Sequence, residues 1–290
     1  MSKETDKLDI KKVMVIGAGQ MGSGIAQVFA QAGYQVKLND IKQEFVDDGI
    51  ENMKNGLKRQ VKKERMEQKE VDELLGRITT SVSYNDVSDV DLVIEAATEN
   101  EEIKLNIFKE LDEKAPDHTI LASNTSSLSI TKIAGSTKRP DKVLGLHFFN
   151  PVPAMKLIEL NIALMTSDET TDLMKEIGET LNKTVVLVKD SPGFVVNRIL
   201  VPMINEAIFV VDSGVATVEE VDDAMKLGAN HPMGPLQLAD FIGLDTVLAI
   251  METLYDGFSD TKYRPAPLLI KYVEAGLLGR KTGQGFYEYN

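Results

Sequence analysis

An α/β domain built on a parallel sheet, followed by a second domain made of helices alone, is the architecture this sequence predicts. Three observations predict it. Val13-Met14-Val15-Ile16 is a short apolar run, and Gly17-Ala18-Gly19-Gln20-Met21-Gly22 follows it at once. Ile25, Ala26, Val28, Phe29 and Ala32 then recur at helical spacing until Gly33 ends the pattern, and a second strand candidate runs from Gln35 to Asp40. Strand, glycine turn, helix and strand in this order form a βαβ unit, which demands a parallel sheet. The third observation is a change of character at Ser191, after which helical patterns continue with no convincing strand until the last residues.

The remaining elements follow in order. From Gln43 to about Leu75 the sequence is charged and helix-favouring, which predicts a helical hairpin inserted after the second strand. Strand candidates resume at Ile78–Thr80, Leu92–Ile94, Thr119–Leu121 and Val143–His147, with a helix over Glu101–Lys114. Asn150-Pro151-Val152-Pro153-Ala154 reads as a turn into a strand over Lys156–Leu160. Helix Glu169–Leu181 and strand Thr184–Val188 close the α/β region. Ser191-Pro192-Gly193 reads as a helix start, with Ser as N-cap and Pro at the first helical position. That helix, through about Asp212, is apolar nearly all round, so it must be buried centrally or between subunits. The domain boundary therefore falls near residue 189, giving domains 1–189 and 190–290.

The 290 residues carry 32 Lys and Arg against 45 Asp and Glu, a net charge of −13. Such a balance is a poor match for nucleic acid or an anionic membrane, whose binding needs dense positive charge. Zero cysteines exclude a disulfide framework, a thiolate metal site and a thiol nucleophile. The polar start Met1–Lys7 lacks the apolar core of a secretion signal, and no stretch approaches the roughly 18 apolar residues of a membrane span. A reducing cytoplasm is the expected compartment. One segment reverses the overall charge: Lys54, Lys58, Arg59, Lys62, Lys63 and Arg65 stand against Glu64 alone, and Lys54, Lys58 and Lys62 share a helix face where they repel.

Gly17, Gly19 and Gly22 match the dinucleotide fingerprint G-x-G-x-x-G of Rossmann-type domains, in the strand-to-helix context that gives the motif its meaning. Gly17 permits the tight turn, Gly19 has no Cβ to obstruct a pyrophosphate, and Gly22 lets the helix pack on the strand. The helix N-terminus offers unpaired N–H groups to phosphates. Asp40 ends the second strand about 20 residues on, where an acid accepts hydrogen bonds from the adenosine ribose hydroxyls and repels a 2′-phosphate. NAD is thus favoured over NADP, and FAD is the weaker alternative.

Three histidines are present. His118 lies in a polar turn and His231 in a Pro/Gly loop. His147 follows Val143-Leu144-Gly145-Leu146 and precedes two phenylalanines, a setting in which a histidine is ordinarily a core residue. If the hairpin is centred on Pro153, however, His147 faces Glu159, an acid flanked by Ile158 and Leu160. A carboxylate on one ring nitrogen fixes the tautomer and leaves the other nitrogen as a base, which suits hydride-transfer chemistry. Ser123-Asn124-Thr125-Ser126-Ser127 follows a strand at its carboxyl end, where open α/β sheets place ligands. Capping helix Ile130–Ala134 is the plainer role for this run, with Ser127 or Ser129 as the cap while Ser126 faces the site. Asn197, inside the apolar helix, needs a partner, and a substrate oxygen is one.

Five blocks carry a family resemblance: Gly17–Gly22, Ser123–Leu128, His147-Phe148-Phe149-Asn150-Pro151, Ser191-Pro192-Gly193-Phe194-Val195-Val196-Asn197-Arg198 and Gly283-Gln284-Gly285-Phe286-Tyr287. Together, and in order over essentially the whole chain, they resemble the short, monofunctional L-3-hydroxyacyl-CoA dehydrogenases, in the form of the bacterial 3-hydroxybutyryl-CoA enzymes. The resemblance implies that His147 is the general base and Glu159 its partner, with Ser126 and Asn197 at the substrate's 3-oxygen and neighbouring carbonyl. It implies NAD contacts at Asp40, Glu99, Lys104 and Lys281, and it counts Gln20, Met21, Asn124 and Ser126 with them. It puts the CoA of an acyl-CoA substrate on the helical insertion, with Lys63 and Lys58 toward the phosphates; a serine common in the family stands here as Gly56. It also implies a homodimer formed through the helical second domain. The expected reaction is reversible oxidation of (S)-3-hydroxybutyryl-CoA to acetoacetyl-CoA, in butyrate or fatty-acid metabolism. A dehydrogenase of free hydroxy acids is the rival, but it has no use for the basic helix; a binding protein without turnover is the other.

Overall fold

The computed structural model describes residues 9–289; the polar start Met1–Lys7 lies outside them. The chain divides into two compact units between Ser191 and Pro192.

The first unit is an eight-stranded sheet with helices. Strand β1 (Lys12–Ile16) leads through the glycines into α1 (Gln20–Gln31) and β2 (Gln35–Asn39). Helices α2 (Gln43–Lys62) and α3 (Gln68–Gly76) follow, then β3 (Ile78–Ser81), β4 (Leu92–Glu95), α4 (Glu101–Lys114), β5 (Ile120–Ser123) and α5 (Ile130–Ala134). The unit closes with β6 (Val143–Phe148), β7 (Leu157–Ile162), α6 (Asp168–Thr180) and β8 (Thr184–Lys189). The strand order is β3-β2-β1-β4-β5-β6-β7-β8, parallel throughout except for the antiparallel pair β6/β7. The order reverses direction at β1, between β2 and β4, which is where sheets of this type open a ligand crevice at their carboxyl ends.

Side-chain alternation sorts the core. Val13 and Val15 join a buried cluster with Ile25, Val28 and Phe29 of α1, whereas Met14 and Ile16 are equally buried on the opposite face. Cross-strand partners share a face, so the pairings Ile16↔Glu95 and Glu95↔Ser123 put two polar groups in line with Ile16 at the carboxyl edge. Lys104 of α4 reaches Glu95 and so covers that same face.

The helix-favouring stretch after β2 is the expected helical hairpin, α2 and α3. Glu64 takes a left-handed φ of 54°, which no α-helix accommodates, and Glu67 restarts the chain with a capping box to Glu70. Both helices contribute to the α1-side core, through Val46, Met53 and Leu57 and through Val71 and Leu74.

The second unit holds α7 (Val196–Asp212), α8 (Val218–Gly228), α9 (Pro235–Ile242), α10 (Leu244–Phe258) and α11 (Pro267–Glu274). Its last residues form only isolated bridges, Gly279↔Gln284 and Gln284↔Glu288. The expected helix start at Ser191-Pro192 is corrected: Gly193 has φ +70° and Phe194 φ 54°, so the helix cannot begin before them, and Val196 is its first residue. Val201, Ile204, Ala207 and Ile208 of α7 are buried, while Ile199 is 68% exposed. The fully buried asparagine of this helix is Asn205. It donates to Arg264 O at 3.0 Å and accepts from Ala266 N at 2.8 Å, pinning the approach to α11.

Candidate active site

A cleft of about 1050 Å³ opens at the sheet's reversal point, lined by Gly17, Ala18, Gly19 and Gln20 after β1, Asp40 and Ile41 after β2, and Ala97 and Thr98 after β4. Each fingerprint glycine has a measurable reason. Gly17 has φ +96°, and a Cβ there would lie 2.6 Å from Ala96 O. A Cβ at Gly22 would lie 1.7 Å from Gly17 O, so helix and turn could not meet. A Cβ at Gly19 would meet no protein atom within 4 Å; the space it would fill belongs to the cleft, which is the cradle a pyrophosphate needs. Gly19 also caps α1 without a side-chain bond, leaving first-turn amides for an anion. Gln20 lines the cleft, whereas Met21 packs against the core.

Asp40 does more than the motif suggests. Its Oδ2 accepts from Ala18 N at 2.7 Å and its Oδ1 from Ile41 N at 2.7 Å, so the carboxylate braces the glycine turn from within the cleft. Arg59 of the basic segment also lines the cleft, as do Ile41, Phe45, Tyr84 and Ile103, which the sequence pattern does not single out. The available signal was Ile41 and Phe45 flanking an acid at a strand end, large apolar groups that remain 73% and 41% exposed.

His147 and Glu159 are a directly opposed pair in the β6/β7 ladder. His147 Nδ1 and Glu159 Oε2 are 2.8 Å apart, with the residues 6% and 1% exposed. The carboxylate accepts from Nδ1–H, which fixes the ring's orientation and its tautomer. Asn124 ties the serine-rich turn to this strand, its Oδ1 accepting from Phe148 N at 2.8 Å.

Ser126 and Glu99 are brought together. Glu99 Oε1 accepts from Ser126 N at 2.6 Å and from Ser126 Oγ at 2.9 Å, and its Oε2 accepts from Thr125 Oγ1 at 2.8 Å. Ser129 is the cap of α5, accepting from Lys132 N, so Ser126 is spared that task. Lys104 is 2% exposed, and its Nζ donates to Glu95 Oε1 at 2.8 Å and Oε2 at 2.6 Å, with Glu99 Oε2 3.7 Å away.

The basic run divides around α2. Arg59 lines the main cleft, while Lys54 and Lys58 line a separate groove with Asp47, Glu51 and Thr80. Lys63 is the exposed C-cap of the helix. Asn197 and Lys281 stand in the second unit: Asn197 is half-buried in the first turn of α7, and Lys281 pairs with Asp245.

Residues 12–191 match the family described as 3-hydroxyacyl-CoA dehydrogenase, NAD binding domain, and residues 193–289 match the corresponding C-terminal domain. The chain is 54% identical over 279 residues to the 3-hydroxybutyryl-CoA dehydrogenase of Clostridioides difficile, covering 96% of this chain and 99% of that one. It is 53% identical over 280 residues to the enzyme of the same name from Bradyrhizobium diazoefficiens, covering 97% and 96%. The crystal structure of (S)-3-hydroxybutyryl-CoA dehydrogenase from Ralstonia eutropha superposes with a TM-score of 0.95 at 51% identity, over 97% of this chain and 100% of that one. A nicotinamide dinucleotide is therefore the cofactor class that the glycine cradle serves. The chain belongs to the 3-hydroxyacyl-CoA dehydrogenase family of oxidoreductases.

Proposed function

We propose that the protein catalyses the reversible oxidation of (S)-3-hydroxybutyryl-CoA, or a similarly short 3-hydroxyacyl-CoA, to acetoacetyl-CoA with NAD. The buried bond between His147 Nδ1 and Glu159 carries this reading, because it holds the imidazole of a candidate base in one orientation against a fixed carboxylate. In oxidation, His147 Nε2 takes the 3-hydroxyl proton as the C3–H bond breaks; in reduction the imidazolium returns it. A nicotinamide dinucleotide held in the glycine cradle would supply the hydride acceptor for C3 in oxidation and the hydride donor in reduction. Ser126 and Asn197 hold the 3-oxygen and the neighbouring carbonyl. The Gly17–Gly22 turn with Gln20 holds the pyrophosphate, Asp40 the adenosine ribose, and Glu99, Lys104, Asn124 and Lys281 contribute further contacts. Asp40 also repels a 2′-phosphate, which supports NAD over NADP. Lys58 and Lys63 serve the CoA phosphates. Exposed Ile199, Leu227 and Phe241 of the second unit support a homodimer through that unit. Butyrate or fatty-acid metabolism is the setting this chemistry fits.

The test is a spectrophotometric assay of acetoacetyl-CoA reduction with NADH and, separately, NADPH, beside free acetoacetate. Turnover with the CoA ester and NADH is expected, with little on the free acid. His147→Gln and Glu159→Gln should each lower kcat by about 10²–10⁴ while NADH still binds. Near-normal turnover in both variants would falsify the mechanism.

A further inference from the structure

A buried carboxylate that accepts four hydrogen bonds belongs to a residue with no part in the reaction above. Glu95 ends β4 and is 0% exposed. Its Oε1 accepts from Ala97 N at 2.8 Å and Lys104 Nζ at 2.8 Å; its Oε2 accepts from Lys104 Nζ at 2.6 Å and Ser123 Oγ at 2.8 Å. One side chain thus joins the carboxyl ends of β4 and β5 to α4. The bonding continues outward, for Ser123 Oγ accepts from Thr125 N at 3.2 Å and Thr125 Oγ1 donates to Glu99 Oε2 at 2.8 Å. Glu99 Oε1 in turn holds Ser126 through both N and Oγ.

A fully buried ion pair is a poor source of stability, since desolvating both charges offsets most of their attraction. What it supplies is a fixed geometry, because neither charge can leave the other. We infer that Glu95 is a positioning residue: through Ser123 and Thr125 on one side and Lys104 on the other, it holds Glu99 against Ser126 and thereby sets the serine for the substrate oxygen. The last clause rests on the function proposed above; the positioning itself does not. The 3.7 Å separation of Lys104 Nζ from Glu99 Oε2 makes the device sensitive to charge. Remove the charge of Glu95, and Glu99 becomes the nearest carboxylate to a buried ammonium. Glu99 then turns to Lys104 and releases Ser126. The Gly17–Gly22 turn and Asp40 lie outside this chain of bonds.

Glu95→Gln and Ser123→Ala, singly and together, test it. In hydrogen exchange, the Ser126 amide should exchange at least about tenfold faster in each variant, while Val93 and Leu121 inside the strands keep their protection. In kinetics, kcat for acetoacetyl-CoA reduction at saturating NADH should fall by about tenfold or more in Glu95→Gln. The double variant should be no worse than the worse single one, because both break the same chain. A purely structural role would lower Tm, leave kcat unchanged and give additive losses. Unchanged exchange at Ser126 in the folded variants overturns the positioning role. If Glu95→Gln does not fold, Ser123→Ala decides alone, since it removes one hydroxyl and no charge. Wild-type protein with no turnover of acetoacetyl-CoA overturns the reaction assignment only, because the exchange measurement reads the positioning without it.

Discussion

Asn161 carries a cost with no visible return. It is 0% exposed on β7, two residues beyond Glu159 and opposite Gly145, and neither Oδ1 nor Nδ2 has a hydrogen-bond partner. An amide buried without partners loses the solvation it had in the unfolded chain, a penalty of about 1–3 kcal/mol. Leucine has similar size and nothing to desolvate. Asn161→Leu should therefore raise the unfolding free energy by about 1–3 kcal/mol, read from the urea midpoint at unchanged m. An unchanged or lower midpoint would show that the amide is satisfied. Asp40 shows the opposite case: its carboxylate braces the turn and, in the proposed site, would also serve the adenosine ribose. Because Ala18 N loses its acceptor, Asp40→Ala should weaken NADH by more than a lost ribose contact alone, by about 100-fold or more, whereas Asp40→Asn, which keeps an acceptor oxygen, should cost less. Equal losses in the two variants would remove the bracing role.

At the level of elements, the C-terminal tail is held by two buried aspartates rather than by a strand. Asp240 of α9 accepts from Phe286 N at 2.9 Å, Tyr287 N at 2.9 Å and Tyr289 OH at 3.0 Å. Asp222 of α8 takes the Tyr287 hydroxyl and also the first amides of α9, Leu236 N and Gln237 N. Burial, with the Asp240 hydrogen bond second, pushes the Tyr289 phenol up from 10.0 to about 12. A raised folded pKa means that docking contributes its full stability below pH 10 and loses it as pH climbs from 10 toward 12. Phenolate absorbance should accordingly show Tyr289 silent until near pH 12 in wild type, and titrating close to 10 in Asp240→Ala. A profile identical in the two proteins would refute the clamp. The elements themselves were legible to different degrees. The first βαβ unit and α4, whose bounds Glu101–Lys114 the periodicity gives outright, follow from local pattern. The start of α7 does not: Ser191-Pro192 is a good cap signal, but Gly193 and Phe194 are held left-handed, and a Cβ at Gly193 would lie 2.7 Å from Leu254 Cδ2 of α10. The His147–Glu159 pairing was readable because a hairpin's register is symmetric about its turn. The cluster of Glu95, Lys104 and Ser123 was not, because its three elements, though consecutive, bring these side chains together only by packing and leave no period.

Across the whole molecule, the net charge of −13 hides a local reversal. Residues 54–65 hold six cations and one acid, so the rest of the chain carries −18. An anionic substrate approaching this protein is repelled by most of its surface and attracted by the C-terminal half of α2 and the turn after it, where Lys54, Lys58, Lys62 and Lys63 are all exposed. Attraction between exposed charges is screened within a Debye length, about 10 Å at 0.1 M salt and about 3 Å at 1 M. Only the phosphates of CoA can feel it, since the acyl end is neutral. At saturating NADH, the KM for acetoacetyl-CoA should therefore rise by about threefold to tenfold between ~0.1 and ~1 M KCl, with kcat nearly constant. A phosphate-free acetoacetyl thioester should show a higher KM with almost no salt dependence. Lys58→Gln combined with Lys63→Gln should raise the KM for the CoA ester at low salt and flatten its slope, leaving the KM for NADH within about twofold. These substitutions lie on the solvent side of a helix whose buried residues are Val46, Gly49, Met53 and Leu57, so folding is not at stake. Equal salt slopes for the two thioesters would mean that the basic helix is a solvated surface and that the CoA phosphates are held elsewhere.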